Sequence, residues 1–324
     1  MPPGKLTGNT GRVMSERTET SILTTGELAS GREKLQGHLA MVLFAALISG
    51  SFSLGALAMP HIGPAALNTM RFFLATLAMG AVTFAMYRRI PWPETAPWRY
   101  GLLGLLMGVY FITMFMALKI THPVSTSAVF TLIPLMSAGF GFVILGQTVR
   151  PIVLLSLFIA GCGAIWVIFR GDLNAILAFD IGAGETLFFF GCVCHALMAP
   201  LVKKFNRNEP VVMTSFWTTI GTFIAVAIYG AGEVASTDWT AHPSVVWIAI
   251  AYLAVFISAG TFFLVQYASM RLPASKVFSY GYLIPVFVIL YEGALGNGWA
   301  SLAVMAGAVV IVLGLVVVAF APDL

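Results

Sequence analysis

The chain has 324 residues, of which 59% are hydrophobic and only 9% charged, with a net charge of +4 and a mean hydropathy of +0.93. A soluble domain carries about 25% charged residues, so this composition excludes an ordinary soluble fold and places most of the chain in lipid. The basic excess does not argue for nucleic acid, because Lys and Arg lie in the first 37 residues or flank apolar runs, which is how cations distribute at a membrane surface.

Residues 1–37 are rich in Gly, Ser, Thr and charge and read as a flexible cytoplasmic tail. The first apolar run begins near Leu39, too late and too long for an ordinary signal peptide. A bilayer core needs roughly 20 apolar residues per helix. Such runs fall at about 38–57, 65–86, 100–118, 124–146, 152–169, 182–201, 211–230, 244–266, 276–296 and 299–320. Proline, glycine and polar residues separate them, as at Pro60 to Pro64, Arg150-Pro151 and Pro243. The three cysteines lie inside apolar spans, and Cys192-Val193-Cys194 lacks metal-site spacing. They read as small apolar filler, and no metal or cofactor is expected.

The connections alternate in charge. Fourteen Lys or Arg lie on one side, including the tail, Arg88, Arg89, Arg99 and Lys203; only Lys119 and Arg170 lie on the other. This bias predicts that both termini are cytoplasmic, in a cell inner membrane. The two sides are called below the charge-rich and charge-poor faces. Five crossings per half is an odd number, so the halves, 38–170 and 182–320, must run in opposite directions. The expected fold is an all-α integral membrane protein of ten transmembrane helices arranged as two inverted five-helix repeats, an architecture of secondary transporters.

Internal matches support the duplication. Leu132-Ile133-Pro134 recurs as Leu283-Ile284-Pro285, each in the fourth span of its half. Leu145-Gly146-Gln147 answers Leu295-Gly296-Asn297, and Pro123 and Pro273 precede the two spans. Proline removes a backbone donor and kinks a helix, so Pro134 and Pro285 are candidate hinges.

With these features the chain resembles the EamA branch of the drug/metabolite transporter superfamily. Arg71-Phe72 followed by Ala75 resembles that family's Arg-x-x-x-Ala pattern near the start of the second helix. The family often carries Leu-Gly-Glu after the fourth helix of a repeat, where this chain has Gln147 and Asn297. The segment Gly163-Ala164-Ile165-Trp166-Val167 is similar to one in bacterial YddG-type amino-acid exporters. The resemblance implies that spans 3, 4, 8 and 9 line a cavity.

Ionisable groups inside a membrane are expensive and usually functional. Arg71, Glu185 and Glu292 fall at similar depth, toward the charge-poor face. One reading pairs Arg71 with an acid, to gate the pathway or coordinate a zwitterion; the other lets each snorkel to the interface. Gly281, Pro285, Val288 and Glu292 share one helix face, and the matching face of the first repeat is Phe130, Pro134, Ser137 and Gly141. Only the second carries an acid. Trp166, Tyr110 and Tyr282 are candidate pathway aromatics, against the competing reading of lipid contact. His195, deep in span 6, either lines the pathway or packs.

The functional expectation is a carrier exporting small neutral metabolites, most simply amino acids such as threonine, methionine or aromatic ones, by alternating access; an exporter of other metabolites or drugs, or a channel-like pore, is the alternative. The partners are a small-molecule substrate and the lipid bilayer, with a monomer sufficient. No His-Glu-x-x-His, nucleophile set or phosphate loop marks an enzyme, and no filter loop marks a channel.

Overall fold

A computed structural model describes residues 31–93, 95–269, 271–272 and 274–319. In chain order the first half contains α1 (Gly31–Ala58), α2 (Pro64–Tyr87), α3 (Trp98–Leu118), α4 (Pro123–Phe130), α5 (Ile133–Leu145) and α6 (Pro151–Ile168). A short α7 (Leu173–Ala178) leads to the second half: α8 (Ala183–Phe205), α9 (Val211–Tyr229), a short α10 (Ala231–Ser236) and α11 (Ser244–Tyr252). A π-helical stretch (Leu253–Gly260) joins α11 to α12 (Thr261–Ser269); α13 (Ala274–Ser279), a 3-10 turn (Tyr280–Leu283), α14 (Ile284–Ala294) and α15 (Leu302–Ala319) complete it.

Local chemistry sets these boundaries. Pro64, Pro123 and Pro151 open α2, α4 and α6, positions where a missing N–H costs nothing. Gly146, at φ +64°, closes α5 in the left-handed conformation that glycine adopts freely. The Asp172 carboxylate caps α7 by accepting from the Asn174 N–H at 2.8 Å. The Glu233 carboxylate of α10 reaches across to the start of α2 and accepts from the Ala66 N–H at 2.8 Å.

Among the described residues, eight helices are long and apolar enough to cross a membrane, taking α4–α5 and α11–α12 each as one rod. Two shorter apolar helices, Tyr280–Ala294 and Leu302–Val318, follow. Apolar helices therefore stand at all ten expected positions, eight of them long enough to cross, with local differences. α1 is already helical at Gly31, the first described residue, rather than from near 38, because Arg32, Glu33, Lys34 and Leu35 are good helix formers that carry the rod beyond the apolar run. Residues 1–30 of the expected tail lie outside the described residues. Span 9 is not continuous but is divided by the 3-10 turn.

Packing follows a two-fold pattern between the halves. α6 packs on α15 and α2 on α9; α3 packs on α8 and α9, while the α11-to-α12 rod packs on α1 and α2. Small residues permit the close crossings. A Cβ on Gly104 would meet the Gly221 carbonyl carbon of α9 at 2.3 Å, and one on Gly163 would meet the Gly307 carbonyl oxygen at 2.7 Å. In lipid, where no hydrophobic force drives helices together, such backbone approach supplies the van der Waals contact that does. The large apolar side chains left exposed, among them Phe142, Phe158, Ile228 and Val309, face outward as a lipid-contacting surface requires.

Candidate functional site

The two prolines break their helices in corresponding places. α4 ends at Phe130, Thr131 and Leu132 form a turn, and α5 resumes with Pro134 in its first turn. In the second half the 3-10 turn ends at Leu283 and α14 resumes with Pro285 in its first turn. Proline lacks an N–H, so the carbonyls four residues back, Phe130 and Gly281, lose their α-helical donor. Gly281 accepts instead from the Ile284 N–H in the tighter 3-10 register. The two breaks meet: a Cβ on Gly281 would lie 4.0 Å from the Phe130 ring.

Aromatic rings gather around this point. Tyr110 of α3 packs edge-on to His195 of α8, with centroids 4.6 Å apart, and against Phe188 at 5.6 Å. Phe130 lies 6.0 Å from His195 and 5.9 Å from Phe52 of α1. Four helices thus supply one aromatic cluster beside the paired breaks. His195 lies in the interior with its Nδ1 buried and without a hydrogen-bond partner.

Arg71 adjoins this cluster from α2. It is 1% exposed, and its guanidinium sits 4.0 Å from the Phe111 ring centroid and 4.8 Å from that of Phe72. Phe111 in turn packs on Tyr110 at 4.7 Å. Nε and Nη1 of Arg71 are buried without partners.

Among the described residues, the expected pairing of Arg71 with an acid is not found. Glu185 is 2% exposed and accepts from the Thr121 hydroxyl at 2.6 Å. Glu292 accepts from the Asn297 amide at 2.9 Å through Oε2, while its Oε1 is buried and unpartnered. Equal depth did not mean proximity. α2 packs on α9, α11 and the π stretch, whereas α14 packs on α1 and α4. Glu292 lines a cavity of about 800 Å³ on the charge-poor face, with His61, His122 and Arg170 among its other walls.

Two other candidates make contacts between helices. The Trp166 indole N–H donates to the Ala303 carbonyl of α15 at 2.9 Å, which fixes the α6–α15 crossing. Tyr282 is 2% exposed in the 3-10 turn, with its hydroxyl toward Ser156 of α6. The sequence reading missed Asn68, Phe52 and Phe188. Asn68 is fully buried three residues before Arg71, and its Oδ1 is unpartnered; helical spacing from Arg71 was signal enough to find it. Nothing singles out Phe52 or Phe188 among 25 phenylalanines.

The sequence pattern of the EamA-like transporter family matches residues 35–169 and again residues 182–320. A Bacillus subtilis (strain 168) protein described as an uncharacterized transporter, YyaM, is 26% identical over 284 residues, covering 86% of this chain and 91% of that protein. An uncharacterized transporter of Archaeoglobus fulgidus is 24% identical over 260 residues, covering 78% of this chain and 87% of its own length. A solved crystal structure superposes with a TM-score of 0.62 at 20% identity, over 89% of this chain and 96% of the other; that likeness concerns the fold alone.

Proposed function

The chain belongs to the EamA-like transporter family, and we propose that it is a secondary carrier exporting small neutral metabolites, with amino acids as the leading substrate class. It is a transporter and not an enzyme. The observation that carries the substrate reading is the meeting of the two proline breaks, Phe130 against Gly281, beside the Tyr110, His195 and Phe188 cluster. Paired interruptions in inverted repeats expose backbone carbonyls at a substrate site, and rings with polar tips suit the side chains of amino acids. Few charges line the interior, which disfavours strongly charged cargo such as a nucleotide sugar.

In this reading α4–α5 and the 3-10–α14 pair bend at Pro134 and Pro285, and the central site faces each side of the membrane in turn. The charge-rich face, with both termini, is cytoplasmic, the membrane is the inner one, and one copy is sufficient. The similarity around Trp166 to YddG-type exporters is consistent with amino-acid cargo. Uptake of labelled threonine, methionine and phenylalanine into liposomes holding the purified protein tests the reading. Saturable uptake of at least one is expected; none above empty liposomes for all three overturns it.

A further inference from the structure

Arg71 presents a problem of charge that the protein does not solve by itself. A guanidinium stays protonated in proteins, so burial cannot neutralise it by titration as it would an acid or a lysine. Arg71 is 1% exposed, two of its nitrogens lack hydrogen-bond partners, and among the described residues no carboxylate lies within ion-pair reach. Its compensation is the faces of Phe111 and Phe72, and ring quadrupoles leave the N–H donors at its edge unsatisfied. An uncompensated buried charge is destabilising, and where one is kept inside a membrane protein it marks a functional site. What the site lacks is an anion that accepts hydrogen bonds.

We propose that Arg71 binds the carboxylate of the transported molecule. This deepens, and rests on, the reading of the chain as a carrier of amino-acid-like cargo. The surroundings give the ligand an orientation. Phe111 lies under the guanidinium and abuts Tyr110, which continues to His195 and Phe130 at the helix breaks. A carboxylate held at Arg71 directs the remainder of the molecule along these rings toward the paired breaks. The planar donor set of arginine suits a carboxylate better than a spherical ion.

The test uses the purified full-length protein, with thermal unfolding as the readout and 3-phenylpropanoate, its neutral amide and chloride as probes. The acid is expected to raise the melting temperature of the wild type, with the amide and chloride giving much less. Arg71→Met is expected to unfold no earlier than the wild type, because it removes an unpaired charge, and to weaken binding of the acid by about tenfold or more. Should that variant fail to fold, Arg71→Lys keeps the charge without the planar donors and is expected to bind the acid more weakly than the wild type. Equal stabilisation by acid and amide, stabilisation that chloride reproduces, no response of the wild type to the acid, or undiminished acid binding in the folded variants each overturns the proposal. Uptake of labelled amino acids separates the two levels. Uptake without Arg71-dependent acid binding leaves the carrier reading standing alone; Arg71-dependent binding without uptake leaves the anion site standing alone.

Discussion

Arg99, in the first turn of α3, and Glu209, between α8 and α9, form a two-point ion pair, with Nη2 and Nη1 donating to the two carboxylate oxygens at 2.9 and 3.1 Å. Arg99 is 2% exposed and also donates to the backbone carbonyls of Thr95, Ala96 and Phe205. One side chain thus ties the start of a first-half helix to a second-half connection on the charge-rich face. Burial works to raise the Glu209 carboxyl, but the hydrogen bonds and charge of Arg99 outweigh it and hold the group below its ordinary value.

A pH dependence follows from that lowered pKa. Because the folded carboxyl titrates below the unfolded value of about 4.3, its stabilising contribution is fully present above that value and is lost as the pH falls through the folded pKa. Thermal unfolding measured from about pH 7 to about pH 3 is expected to show a smaller acid loss in Glu209→Gln than in the wild type, and a lower melting temperature for that variant at neutral pH. Parallel curves for the two proteins would remove this pair as a source of acid sensitivity.

The crossing of α3 and α9 offers a paired comparison on one helix. A Cβ on Gly104 would lie 2.3 Å from the Gly221 carbonyl carbon, whereas one on Gly101 meets nothing within 4 Å. Gly104→Ala forces two backbones apart and is expected to cost about 1–3 kcal/mol. Gly101→Ala is expected to be neutral or to stabilise by about 0.5–1 kcal/mol, through reduced freedom of the unfolded chain. Melting temperatures in one detergent decide it: equal shifts for the two variants contradict the close approach.

The proline breaks carry the mechanical prediction. Alanine at 134 or 285 restores the N–H that the Phe130 or Gly281 carbonyl lost, so each helix can run through its break. The double variant Pro134→Ala with Pro285→Ala is expected to fold with undiminished thermal stability yet to transport about tenfold more slowly, because the rods no longer bend where the halves meet. Initial rates in liposomes at matched protein content measure this, and a wild-type rate in the double variant removes the prolines from the mechanism.

Those breaks were legible in the sequence because proline acts locally: it forbids a hydrogen bond wherever it stands. Span number was legible for a similar reason, since length and apolarity are properties of a run. What needed the fold was azimuth. The depths of Arg71 and Glu292 were readable by counting, but their helices face different neighbours, and no count along a chain reports that. The π stretch at Leu253–Gly260 is as apolar as α11, which it continues, and its wider winding leaves no compositional trace. Arg99 read only as one more surface cation, because its partner lies 110 residues away.

Glu292 supports the last prediction. It is 8% exposed, Oε2 is held by Asn297, and Oε1 is buried with no donor. The other titratable or charged walls of its cavity are His61, His122 and Arg170, none within ion-pair reach of it; Tyr291, beside it on α14, donates its hydroxyl to the Ala46 carbonyl. Glu292 is thus a buried carboxylate in a cavity wall, and an ionisable group kept inside a membrane protein marks a functional position. If its protonation is coupled to transport, the rate depends on pH in the wild type and Glu292→Gln, fixed in a neutral form, loses that dependence. Substrate flux measured at several pH values, without a membrane potential, separates the outcomes. A Glu292→Gln carrier that follows the wild-type pH profile excludes this carboxylate from proton coupling and leaves it a structural partner of Asn297.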